Sequence, residues 1–571
     1  MASGSGRKSS RLKGKSRRIK IAANAKADAA IQSSLRSNRL MRWKIIAAVT
    51  LITILAALVW YPAVHFGFVY DDHLQIESNR QLQSWSSLVP GLREPLWTQL
   101  GAEKASPYYR PMFLLVLFVQ HDLFGLNSVL WHLFSIGLHT LVALALFLFL
   151  FLQFIRLIPA CIAACVFACC PLATEVVSWV SACSESLYTL LFLCALCGLQ
   201  LSDRAKAPTV ALALRLSSAC ALALAVFTKE TAIVAVVLAI AYDYLFLHRK
   251  LHFNPILIYA PLILPLAAYL WIHPSLHRED SRSVVQVLSI IPYLSCLAFQ
   301  KLVWPAPVSE FYDLWIDQAH SSTSLAMYTG LLIGILGTIL WVGLRTRFVA
   351  WALAVVVLPI TVVAVGSSLF RDYDLFHDRY LYLSSIGVAI LIAAVLARAE
   401  ARPRLRLVIT AIVALVLGAE VWQARIASLQ FRDDASLFSH AVKVAPHNVV
   451  ALQLMAETAI GRSDCPTAIE AYQRAQQLRP DLWKTTFFLG IGYLRCGKSV
   501  QAGYAFGHAA IVPGATAEES ALAWYELGRT NLIQQDAAGA LIALRKAASL
   551  DPASRKIQTL LTQILSEQQH R

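Results

Sequence analysis

From Ile45 onward the chain alternates long apolar runs with short polar breaks. Runs near 45–60, 129–153, 157–180, 184–201, 209–228, 231–247, 254–273, 322–344, 348–368, 380–397 and 407–423 approach the ~20 residues that a helix needs to cross hydrocarbon. The apolar stretch 209–247 is twice the length of one span, and Thr228-Lys229-Glu230 interrupts it, which predicts a turn there. Residues 111–124 are apolar but short and include His121 and Asp122, so they predict an interfacial helix. Residues 284–304 must begin and end on one side, as a re-entrant or surface helix, for the remaining spans to alternate. The pattern therefore predicts an all-α, polytopic membrane domain of about eleven transmembrane helices.

After residue 424 the apolar runs shorten and a repeat begins. AIEAYQRAQQLRP (468–480) returns as AGYAFGHAAIVP (502–513) and, loosely, at 538–552; a half-repeat, SLFSHAVKVAP, occupies 436–446. Pro446 and Pro480 are 34 residues apart. In a frame starting at Ala521, the residues Trp524, Gly528, Ala540, Leu544, Ala547 and Pro552 occupy tetratricopeptide (TPR) positions. Small residues let paired helices approach, aromatics fill between them and proline ends the second helix. We expect a C-terminal TPR α-solenoid, which would present a concave face to a polypeptide or serve as a spacer. Cys465 and Cys496 fall in neighbouring helix turns of adjacent repeats. An oxidising exterior would permit a disulfide there; spacing alone does not establish one.

Composition agrees with this division. The chain is 57% hydrophobic and 15% charged over 571 residues, too apolar for a soluble globule. Its net charge of +16 is concentrated at the start: residues 1–44 hold thirteen Lys or Arg and one acid, Asp28. A basic arm directly before a span reads as a disordered cytoplasmic tail that follows the positive-inside rule, rather than as a nucleic-acid arm. Further cytoplasmic signals are Asp203–Lys206, His248–Lys250, Arg345–Arg347 and the RAEARPRLR run at 398–406, whereas Glu310, Asp313 and Asp317 mark an outer loop. The expected organisation is a tail over 1–44, a membrane domain over 45–424 with an external loop at 61–128, and an external domain over 425–571. Most of the eleven cysteines lie in apolar segments, with no zinc spacing.

Polar residues that interrupt apolar segments carry the candidate chemistry. Asp71 and Asp72 leave the first span as FGFVYDD. By the topology above, Tyr108–Pro111, the PLATE segment with Glu175, Ser184-Glu185, Thr228–Glu230 and RDYDLFHDR (371–379) all fall on the same outer side. Ionisable groups at membrane depth need partners or a water-filled cavity, so one shared cavity is expected. Carboxylates beside Arg and Lys suit an anionic, lipid-tethered substrate: the cations hold phosphate and a carboxylate deprotonates a hydroxyl. The residues alone also admit a transporter or scaffold with a partner-binding repeat domain.

FVYDDHLQIESN, YYRPMFLLVL, PLATEVVSWVSACSE, FTKETAIVAVVLAIAYD and HDRYLYLSSIGVAIL, in that order and before a TPR-like repeat, resemble the transmembrane-and-TPR O-mannosyltransferases and their bacterial relatives, within the GT-C glycosyltransferase superfamily. The resemblance implies a polyprenyl-phosphate sugar donor in a lipid bilayer and transfer to a protein Ser/Thr hydroxyl on the non-cytoplasmic face. It places the chain in a bacterial inner membrane, or in the ER membrane of a eukaryote. It also implies Asp71 and Asp72 as the catalytic acid and its neighbour, and Arg110, Glu175, Lys229, Glu230, Arg379 and Tyr380 as donor-binding residues. No cofactor is required; a divalent metal is compatible with Asp71 and Asp72. Two departures stand out: Cys170 precedes the PLATE proline where the family often has His, and Ala182–Glu185 lacks the basic residue often found there. A polymerase or ligase of lipid-linked glycans is the alternative reading.

Overall fold

The computed structural model describes residues 39–98, 108–247, 258–272, 284–314, 321–366, 375–399 and 402–569. The basic arm up to residue 38, His248–Lys250, Asp317, and Arg371, Asp372 and Asp374 lie outside the described residues. Helices and their connections make up the described chain, with no strand among them. The N-terminal part comprises α1 (Arg39–His65), α2 (Pro111–Phe124), α3 (Ser128–Phe154), α4 (Leu157–Cys169), α5 (Ser184–Arg204), α6 (Pro208–Thr228), α7 (Ile233–Phe246), α8 (Ile263–Ile272), α9 (Val284–Val303), α10 (Ser322–Gly343), α11 (Arg347–Gly366), α12 (Tyr382–Ala399) and α13 (Pro403–Ser428). Pro111, Pro208 and Pro403 each occupy a first helical position, where an N–H is not needed.

The chain is a multi-pass membrane protein. Among the described residues, eight helices are long and apolar enough to cross a bilayer. A ninth results if α4 and Pro171–Ser178, bent by 50° at a short break, are one span. The pattern predicted about eleven. The expected span at 231–247 is shorter because Lys229 is extended and residues 230–232 form a tight 3-10 turn, leaving α7 with 14 residues. The one expected at 254–273 lies partly outside the described residues, and α8 has 10 residues. Along α10 no residue of the apolar window is fully buried, and only one side of the helix packs on α9 and α11, where the Tyr293 and Tyr328 rings lie 4.8 Å apart.

One apolar core runs from Ala48 in α1 through α3–α7, α11 and α12 to Leu489 far along the chain. Where helices meet tightly, small residues allow it. A Cβ on Gly387 of α12 would stand 2.8 Å from the Val356 backbone nitrogen of α11. Several buried polar groups inside the bundle are partnered across helices: Trp351 Nε1 donates to the Leu238 carbonyl at 2.9 Å and Trp60 Nε1 to that of Ala168 at 2.9 Å. Arg215 and Asp243 pair at 2.9 Å, and the Tyr259 hydroxyl donates to Asp243 at 2.9 Å. Such pairs carry buried charge without a solvent.

Beyond α13 come α14 (Asp434–Val444), α15 (Val449–Gly461), α16 (Cys465–Leu478), α17 (Trp483–Arg495), α18 (Ser499–Ala509), α19 (Ala517–Ile533), α20 (Ala537–Leu550) and α21 (Arg555–Gln569), each packed on the next. Their starts are written in sequence: Asp433, Asn448, Asp464, Thr516 and Asp536 accept backbone N–H groups as N-caps. Cys465 and Cys496 form a disulfide between α16 and the end of α17. The root of this array is bound to the membrane part: the Gly67 N–H donates to the Arg432 carbonyl at 3.1 Å, and Phe431 and Leu437 belong to the common core.

Gly387→Ala should cost about 1–3 kcal/mol, since backbone rather than a flexible side chain must yield. Thermal unfolding in detergent checks this. Gly334→Ala, where nothing lies within 4 Å, should not lower the midpoint.

Candidate active site

The first connection, Phe66–Ser78, is shaped by two adjacent residues with opposite fates. Tyr70 adopts a left-handed backbone (φ 53°), unusual for a bulky residue. It is held there by its N–H, which donates to Asp434 Oδ1 at 2.9 Å, and by ring contacts with Trp179, Phe311 and Phe438. Asp71 follows, partly exposed, and lines a cavity of about 270 Å³. Asp72 lies behind the wall and is fully buried. Its Oδ2 accepts the Val69 N–H at 3.1 Å, and its Oδ1 accepts the Ser181 N–H at 2.9 Å and the Ser181 hydroxyl. Burial raises the Asp72 carboxyl to about 6 against these bonds. The two acids therefore do not present a paired face to one cavity.

Five other expected residues converge on the same cavity: Arg110, Lys229, Glu230, Arg379 and Tyr380. Arg110 precedes α2 and stands 4.5 Å from the Tyr108 ring centre. It donates from Nε and Nη2 to the two oxygens of Glu230 at 2.9 and 2.5 Å. Lys229, extended between α6 and the turn before α7, donates to Glu185 at the start of α5. Arg379 donates from Nη1 to Glu175 at 2.9 Å and to Glu310 at 2.8 Å. Its guanidinium lies 4.9 Å from the Trp179 ring and 5.3 Å from that of Tyr380. Arg379 Nε and Nη2 make no hydrogen bond with the described residues.

Glu175 does not line the cavity. It is fully buried beneath Arg379, where its other oxygen accepts the Asp378 N–H at 3.0 Å. Glu310 was legible in the sequence only as an outer-loop acid; here it faces the cavity, and His377 donates toward its carbonyl at 2.9 Å. Glu175, Glu310 and His377 could jointly offer atoms to a cation, but the Arg379 guanidinium already bridges both carboxylates. Asp71 and Asp72 are not among the described groups of three or more potential ligands. Two aromatic wall residues also escaped sequence reading. Trp97, with φ 72°, and Trp179 line the cavity, and neither indole N–H has a partner among the described residues.

Part of this chain is similar to an O-mannosyltransferase. It is 30% identical over 152 residues to Protein O-mannosyl-transferase TMTC3 of Mus musculus, a match covering 26% of this chain and 16% of that protein. The human counterpart is 28% identical over 148 residues, again 26% of this chain and 16% of that protein. The chain thus spans about a sixth of the length of the curated relatives it matches. No family model matches. Among solved structures, ArnT from Cupriavidus metallidurans bound to undecaprenyl phosphate aligns over 82% of this chain and 81% of its own, at 16% identity and a TM-score of 0.37.

Two predictions follow from the charges. Lys229→Met leaves buried Glu185 without its counter-ion and should cost about 3–5 kcal/mol; adding Glu185→Gln should recover most of it. Thermal unfolding of the single and double variants decides. His73 ties the Asp71 loop to α14 through Asp434 at 2.9 Å, and that bond raises its imidazole to about 9. A raised histidine stabilises fully below its ordinary value of about 6.5 and loses this as pH rises through about 9. The unfolding midpoint should fall over that window, and the step should be missing in His73→Gln.

Proposed function

We propose that the chain is a GT-C glycosyltransferase moving a sugar from a polyprenyl-phosphate donor to a protein Ser/Thr hydroxyl on the non-cytoplasmic face. The observation that carries this reading is a single cavity lined by Asp71 together with Arg110, Lys229 and Arg379. In the proposed reaction the Asp71 carboxylate takes the proton of the acceptor hydroxyl as its oxygen attacks the anomeric carbon. The bond from that carbon to the phosphate oxygen breaks, configuration inverts, and polyprenyl phosphate leaves as an anion. Arg379, with Nε and Nη2 still to offer, and Arg110 and Lys229 stabilise the developing phosphate charge. Their carboxylate partners fix them in place, which suits electrostatic preorganisation. Asp72 acts as a positioning residue, anchoring the loop to Ser181 so that Asp71 faces inward. Tyr380 lies beside both Lys229 and Arg379 and bounds the donor site.

Val362, Val363 and Gly366 of α11 form part of the same wall, an apolar side on which a polyprenyl chain would enter from lipid. The partial similarity to O-mannosyltransferases supports a hexose donor and a protein acceptor. The disulfide supports placing α16 and α17 in an oxidising compartment, periplasmic or luminal, with the N-terminal tail on the cytoplasmic side. We assign the helices of 425–571 as the TPR domain.

Purified protein with a panel of dolichyl- and undecaprenyl-phosphate sugars and a Ser/Thr peptide tests the proposal. Asp71→Asn should lower transfer by at least about a hundredfold while the unfolding midpoint holds. Turnover retained in that variant removes Asp71 from the role, and a wild type that transfers none of the sugars overturns the reading.

A further inference from the structure

A second, larger cavity of about 1650 Å³ lies between the Phe68–Leu74 stretch, the end of α13 and the helices α14 and α15. It shares Tyr70 and Asp71 with the smaller cavity, so a molecule seated in it lies beside the same residue. Its volume exceeds the roughly 300–1,000 Å³ of small-molecule sites. The wall mixes exposed aromatic rings, Trp304 and Trp422, with hydroxyls and amides such as Ser439, Thr458 and Gln430, and with charges of both signs, Lys443 and Glu457 among them. Gln430 is decisive. Its side chain is 5% exposed and donates to the Val308 and Ala427 carbonyls, yet its Oε1 is buried without a partner among the described residues. A buried orphan acceptor is costly unless a ligand supplies the donor.

We infer that this groove binds the acceptor polypeptide as an extended segment, the Gln430 amide turning to accept a backbone N–H at Oε1 and a Ser or Thr hydroxyl reaching Asp71. The inference rests on the glycosyltransferase reading and locates its acceptor at the root of the helical array, where α13 passes into α14 and α15, rather than along the outer repeats. A polypeptide fits better than a lipid tail: a hydrocarbon chain has no donor for Gln430, and a wall carrying both charge signs would not be matched by it. The tie from His73 and the Tyr70 N–H to Asp434 joins the two walls of the groove beside Asp71.

The test is binding, not turnover. A fluorescein-labelled ten-residue peptide of Ser, Thr, Ala and Gly is titrated with the full chain in lipid nanodiscs and followed by polarisation. Ser439→Trp, which fills the groove, and Gln430→Leu, which removes the orphan oxygen, should each weaken binding by about tenfold or more. Tyr504→Ala and Ile542→Ser, exposed on α18 and α20, should leave it unchanged. An unaltered unfolding midpoint identifies folded variants, and a benzophenone cross-linker at position 439 gives a second readout in otherwise unmodified protein. Peptide capture at that site supports the groove; capture of polyprenyl phosphate instead overturns it. Equal binding by Ser439→Trp, or a larger loss in Tyr504→Ala, also overturns it. If peptide binding behaves as expected while no lipid-phosphate sugar is transferred, the failure belongs to the enzymatic reading and not to the groove.

Discussion

Every cation that reaches the central cavity arrives with a carboxylate attached. Arg110 is chelated by Glu230, Lys229 is held by Glu185, and Arg379 bridges Glu175 and Glu310. Near hydrocarbon, a lone charge is expensive and a pair is tolerable, so the pairing decides which charges can stand there at all. It also decides the architecture. Glu175 follows α4, Glu185 begins α5, Lys229 ends α6, Glu310 follows α9 and Arg379 precedes α12. With Arg110 before α2 paired to Glu230, five connections are therefore tied together by ion pairs: those before α2, between α4 and α5, between α6 and α7, after α9 and before α12.

Much of this was written in the linear pattern. Apolar period and length gave the span positions within a few residues for α3, α10, α11 and α12. Polar interruptions of those runs singled out Asp71, Arg110, Lys229, Glu230 and Arg379, which line one cavity, because a charge beside an apolar run needs a reason; Tyr380 came from the family resemblance alone. Other features follow from the folded chain and have no local signal. Asp72 is as acidic as Asp71 in sequence, and only the Ser181 peptide, more than a hundred residues on, makes one of them structural in geometry. Glu310 looks like any loop acid until Arg379 is beside it. Trp97 and Tyr70 take left-handed backbones that aromatic residues do not favour, so propensity points away from them.

The shortening after Lys229 and the bend after α4 have a physical cause too. Hydropathy measures how apolar a stretch is, not how long its helix stays regular. The stretch after Lys229 is apolar enough to cross, but its first residues are spent in a tight turn that aims Lys229 and Glu230 at the cavity. The bend between α4 and Pro171–Ser178 is a similar exchange, giving up helix to bury Glu175 under Arg379. In both places the regular element yields to the charged one, as expected where a site and not stability sets the local geometry.

The shallow seating of α10 has a mechanical meaning. A helix of 22 residues is about 33 Å long, close to the ~30 Å of a hydrocarbon slab, and only one of its sides packs on neighbouring helices. A thinner or thicker bilayer can then be met by leaning this one rod, at a fraction of a kcal/mol per ångström, while the ion-paired hairpins stay in register. A rod held on one side only can take up a mismatch that the paired charges cannot.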